Sequence, residues 1–156
     1  MTPRTLTNRG LTFLELTISV GILAVLLAFI VPSFMDFRRN SILNTETQNV
    51  ITLVNKARMS SMSSKEDTQY GIHFEAGKVV LFQGDTYTVG AGTNEELVLP
   101  TALTLSPIVV NGGGAEVVFQ KVTGATNQNA TTTLLVVGST ASTTIVVFPS
   151  GVSTRN

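Results

Sequence analysis

The chain reads as an α+β protein: one long N-terminal helix followed by an antiparallel β-domain. Three observations carry that reading. Residues 16–31 contain no charge, apolar residues then recur at steps of three and four from Leu43 to Ser61, and from Tyr70 onward the period falls to two.

The uncharged run comes first. Residues 11–35 as a helix, at about 1.5 Å per residue, would cover a hydrocarbon core of roughly 30 Å. Ahead of it stands a short polar stretch, residues 1–10, with Arg4 and Arg9 and no acid. An ordinary secretory signal has a shorter apolar core, with its small-residue cleavage site after that core. Here Val31-Pro32-Ser33-Phe34-Met35 follows the core, a poor match, and the small residue at the boundary is Gly10, ahead of it. Arg4 and Arg9 on one side against Arg38 and Arg39, offset by Asp36, on the other give a narrow positive-inside bias toward a cytoplasmic N-terminus.

Inside the apolar segment lies one carboxylate, Glu15. An acid at the bilayer centre costs about 2.5–3.5 kcal/mol, so it needs a partner or a place near the interface. If the chain were cut after Gly10, the new amine on Leu11 would lie one helical turn from Glu15 and could neutralise it within the chain or across a helix pair. The plainer alternative is an interfacial acid near the end of a simple anchor.

The order Arg9-Gly10, then Leu11-Thr12-Phe13-Leu14-Glu15-Leu16, resembles the class III signal of type IV pilins and type II secretion pseudopilins. In that family a membrane aspartyl peptidase cuts after the glycine and methylates the new N-terminus, and the apolar helix is kept. The resemblance implies cleavage between Gly10 and Leu11, N-methylation of Leu11, an assembly role for Glu15, and a helix kink at Pro32. It further implies the pilin fold and a bacterial cytoplasmic-membrane protein with its β-domain outside the cytoplasm. The implied partners are other pilin or pseudopilin subunits, the prepilin peptidase, an inner-membrane assembly platform and membrane lipid. Ala24 departs from the family, where many major pilins have glycine.

The amphipathic stripe of Leu43, Thr47, Val50, Val54, Ala57 and Ser61, widened by Ile51 and Met62, extends the helix to about Met62. Asn44, Glu46, Gln48, Asn49, Asn55, Lys56 and Arg58 fill the other side. Four segments result: a leader at 1–10, a transmembrane and assembly helix at 11–35, its amphipathic continuation at 36–64, and a β-domain at 65–156. Thr47 onward is expected to fold alone, with Val50, Val54 and Ala57 packed on Ile72, Phe74 and Phe82.

In the β-domain, Tyr70, Ile72 and Phe74 share a face, Ala76-Gly77 forms a two-residue turn, and 78–82 returns as a hairpin. Further strands are expected at 86–89, 95–99, 103–105, 108–110, 116–122, 131–137 and 143–148. Abundant Val, Ile and Thr with few charges suits a β-sandwich or a strongly curved sheet. Asn55-Lys56-Ala57-Arg58, Tyr70-Gly71-Ile72-His73-Phe74 and Val147-Phe148-Pro149-Ser150-Gly151 resemble the minor pseudopilin H of type II secretion and FimT/FimU-type minor pilins.

Composition points away from several other classes. Net charge is zero and charged residues are 13% of the chain, so no broad basic surface invites nucleic acid. Within the family, Gly151-Val152-Ser153-Thr154-Arg155 offers one arginine where DNA-binding relatives cluster several, which argues against DNA. With no cysteine there is no disulfide, no thiolate metal site and no thiol nucleophile. His73 is the lone histidine and alternates away from the Tyr70 face, so it reads as a surface strand residue. Asp85 and Glu95-Glu96 read as solvated loop acids, and Asn111-Gly112-Gly113-Gly114 as a hairpin loop. Asn129-Ala130-Thr131 matches a glycosylation sequon that is expected to be a chance match. Threonines 131–133, 140 and 143–144 suit exposed strand positions.

No catalytic set, cofactor or metal is expected. The reading is a non-enzymatic pilus or pseudopilus subunit. Its alternatives are a DNA-uptake minor pilin, and a single-pass anchored β-domain that binds a partner or glycan.

Overall fold

The computed structural model describes residues 12–156, apart from the side chains of 31–33. One helix, α1 (Phe13–Met62), passes through Pro32 without a break in its assignment. A short 3₁₀ turn follows at Lys65–Asp67. Eight strands come next: β1 (Tyr70–Glu75), β2 (Lys78–Gln83), β3 (Glu95–Val98), β4 (Leu103–Val110), β5 (Glu116–Phe119), β6 (Ala130–Val136), β7 (Ser142–Val147) and β8 (Ser153–Arg155). The chain divides into two compact units, one ending at Arg38 and the other running from Arg39 to Asn156.

The second unit is α+β. Its strands form two antiparallel four-stranded sheets, ordered β3-β2-β1-β5 and β4-β6-β7-β8. The core combines the helix residues Leu43, Val50, Val54 and Ala57 with Ile72, Phe74 and Val117 of the first sheet and Leu105, Leu134 and Ile145 of the second. All six stripe positions from Leu43 to Ser61 are buried, the two hydroxyl residues included. Thr47 is accommodated because its Oγ1 donates to the Leu43 carbonyl at 2.7 Å. The stripe differs from expectation on its flank: Met62 is exposed and Leu53 is buried instead. Leu43 is a core residue, so the folding unit begins ahead of Thr47.

The β1–β2 hairpin has the expected two-residue turn, with Glu75 opposite Lys78. That register puts Val79 and Leu81 on the core face with Phe74 and Ile72. Phe82, opposite Gly71, and Val80, opposite His73, point to the other face. Phe82 therefore does not pack under the helix, contrary to expectation. It lies across Gly71, where an added Cβ would stand 2.4 Å from the Phe82 ring.

Other departures have local causes. The two stretches at 103–105 and 108–110 are one edge strand, with a register shift between Leu105 and Ile108 that accommodates Pro107. The expected strand at 86–89 is a loop, for it has no pairing neighbour. β5 stops at Phe119, because residues 120–125 turn tightly, with Gly124 N–H donating to the Gln120 carbonyl at 2.9 Å and Val122 at φ 67°. Residues 111–114 connect the two sheets and close no hairpin. Glu95 and Glu96 belong to β3, where Lys56 and Lys78 pair with them. Thr132 is buried in β6, and among the described residues its hydroxyl has no hydrogen-bond partner. β8 was not anticipated; three residues are too short for a periodic signal.

Candidate functional site

The sequence directs attention first to the N-terminal helix. Gly10 and Leu11, the expected cleavage and methylation positions, lie outside the described residues. Thr12 begins the helix as its cap. Its Oγ1 accepts the Glu15 N–H at 3.2 Å, and its carbonyl accepts the Leu16 N–H at 3.1 Å. Thr12-Phe13-Leu14-Glu15 thus has the spacing of a capping box, with an acid in the first turn where the helix dipole favours one. Sequence reasoning singled out Glu15 and missed Thr12, although the S/T-x-x-E pattern was legible.

Beyond the cap, apolar side chains surround the helix on all sides. Ile18, Ile22, Val25, Leu26, Phe29 and Ile30 are all about half exposed or more. The hydroxyls in this stretch are satisfied within the helix, Thr17 Oγ1 donating to the Leu14 carbonyl at 2.8 Å and Ser19 Oγ to the Glu15 carbonyl at 2.7 Å. A helix whose backbone and hydroxyls are bonded internally has little to lose in hydrocarbon. By length and composition this helix can cross a membrane. Pro32, the expected kink, lies within α1, and its side chain is outside the described set.

A second cluster escaped the sequence reading. His73 is not a surface residue: its side chain is 18% exposed, between Glu75 and Glu116. Its ring stacks on Tyr87, with centroids 4.0 Å apart and planes at 17°. Glu75 was legible as a neighbour two residues along the same strand face. Tyr87 and Glu116 were not, since loop docking and β1–β5 pairing bring them in from distant sequence. Beside the cluster, the Glu96 carboxylate, with Glu75 adding to it, holds the Lys78 ammonium above the usual lysine range. Among the described residues no group of three or more His, Asp or Glu is arranged to hold a metal ion.

No protein-family model, curated protein or solved structure matches this chain.

Proposed function

We propose that the chain is a non-enzymatic subunit of a type IV pilus or type II secretion pseudopilus, of the minor-subunit kind. In this reading it is processed after Gly10, stored in the cytoplasmic membrane by residues 11–35, and drawn into a filament by packing of those helices. The observation that carries the reading is Glu15, the acid in the first turn of α1, ahead of a stretch that holds no charge as far as residue 31 and one helical turn beyond Leu11. Exchanging lipid for neighbouring helices changes apolar burial little, so storage and assembly can share one helix.

The Thr12–Glu15 cap supports a second reading, in which Glu15 only starts a simple anchor. Glu15→Gln separates the two, because glutamine serves a capping box as well as glutamate but carries no charge for a neighbouring amine. The test is incorporation of the full chain into filaments with its cognate assembly machinery. A filament subunit requires that Glu15→Gln be strongly depleted from filaments while remaining in the membrane at wild-type level. Wild-type incorporation would favour the anchor.

A further inference from the structure

Asn111-Gly112 is the one Asn–Gly pair in the chain, and it stands in the loop that carries the chain from β4 to β5. Asn111 N–H donates to the Asn129 carbonyl at 2.8 Å, and Gly113 N–H to the Val110 carbonyl at 3.0 Å, closing a turn around residues 111 and 112. Gly112 takes φ 94° there, a region that favours glycine. The turn therefore asks for a residue without a side chain directly after Asn111.

Hydrogen bonding sets this pair apart further. Among the described residues, neither the Asn111 carboxamide nor Gly112 N–H makes a hydrogen bond, and both residues are exposed. Asparagines elsewhere are held. Asn44, Asn49 and Asn55 lie inside α1, where the N–H of each following residue is bonded within the helix. Asn127 Oδ1 accepts from Gln120 Nε2 at 3.2 Å, and the N–H of the following Gln128 donates to Thr126 Oγ1 at 3.1 Å. Asn94 Nδ2 donates to the Thr88 carbonyl at 2.8 Å, and its successor Glu95 opens β3.

We propose that Asn111 is a self-modifying site: the neighbouring backbone converts its carboxamide to a carboxylate, with water as the only co-reactant. Gly112 N loses its proton to solvent base and attacks Asn111 Cγ. The N–Cγ bond forms, the Cγ–Nδ2 bond breaks, and Nδ2 leaves as ammonia with a proton from solvent. The five-membered imide then takes up one water. Opening at Cγ gives aspartate with the main chain restored; opening at the main-chain carbonyl carbon gives isoaspartate, whose chain runs through Cβ and Cγ. Nothing is oxidised or reduced. Glycine helps twice, since no Cβ crowds the attacking nitrogen and the run 112–114 lets the backbone rotate to meet Cγ. A nitrogen that must first give up a hydrogen bond reacts about two- to tenfold more slowly. The new charge is foreign to its surroundings: residues 97–115 hold no charged side chain, and the neutral chain acquires an excess of acid.

The test is incubation of the purified full chain in detergent, at neutral and at mildly alkaline pH in heavy-oxygen water. Peptide mapping then separates aspartyl from isoaspartyl forms. The peptide holding residue 111 should gain solvent oxygen and appear as both isomers, faster at the higher pH. Its conversion should run about tenfold ahead of that at Asn127, where carboxamide and nucleophile are both bonded. The intact chain should acquire an acidic form on ion exchange, and Asn111→Gln, which cannot close a five-membered ring, should lose it. An Asn111 that converts no faster than Asn127, aspartate without isoaspartate at 111, or an acidic form that persists in Asn111→Gln would overturn the proposal.

Discussion

Ser61 holds Tyr70 by both faces of its peptide: Tyr70 N–H donates to Ser61 Oγ at 2.8 Å, and Ser61 Oγ donates to the Tyr70 carbonyl at 3.3 Å. Both residues are buried, so this two-way bond welds the last turn of the helix to the first residue of β1. Ser61→Ala leaves a buried donor and a buried acceptor without that partner, and should cost about 1–3 kcal/mol. Chemical denaturation of the full chain checks it. An unchanged midpoint would mean that this junction contributes nothing to stability.

The helix seam is the second target. Val54 is fully buried, whereas Gln48 is exposed on the same helix. Val54→Asp puts an unpaired charge into the core and should destabilise by about 3 kcal/mol or more, whereas Gln48→Glu should stay within about 0.5 kcal/mol. Lys56 would be a poor control, because it pairs with Glu95 at 2.8 Å. Equal losses for the two variants would contradict the packing described above.

Backbone strain gives a stabilising change. Val122 sits at φ 67° and is 71% exposed. A β-branched residue is poorly suited to that region, and asparagine tolerates it far better. Val122→Asn keeps the Val122 N–H bond to the Ser61 carbonyl and should add about 1 kcal/mol. A thermal melt lower than wild type would count against a left-handed Val122.

The boundary of the folding unit can be located by truncation. Leu43 lies in the core, and Arg155 Nη1 donates to Asn44 Oδ1 at 3.4 Å, so both residues precede Thr47 yet bind the β-domain. A chain of residues 39–156 should melt clearly above one of residues 47–156. Burying Leu43 alone should account for about 1.5–3 kcal/mol of the difference. Matched melting temperatures would place the boundary at Thr47.

Much of this architecture was legible because period is a strong signal in long elements. The step of three and four from Leu43 to Ser61 marked the buried helix face, and alternation from Tyr70 marked the hairpin with its Ala76-Gly77 turn. What failed was local alternation without knowledge of partners. The stretch at 86–89 looks strand-like but is a loop that docks through Tyr87, and Phe82 could be assigned to a face only once its register with Gly71 was known. The His73 cluster joins residues from β1, a loop and β5, a closeness set by topology and invisible to spacing. At the helix start, Thr12 and Glu15 were readable as a cap.

The proposed role as a processed filament subunit can be checked at the N-terminus itself. The full chain is expressed with and without a prepilin peptidase, and its intact mass is measured. Residues 1–10 should be lost only when the peptidase is present, Leu11 should be methylated, and Gly10→Val should block both. An unchanged N-terminus in the presence of active peptidase, with a known prepilin cleaved alongside, would contradict it.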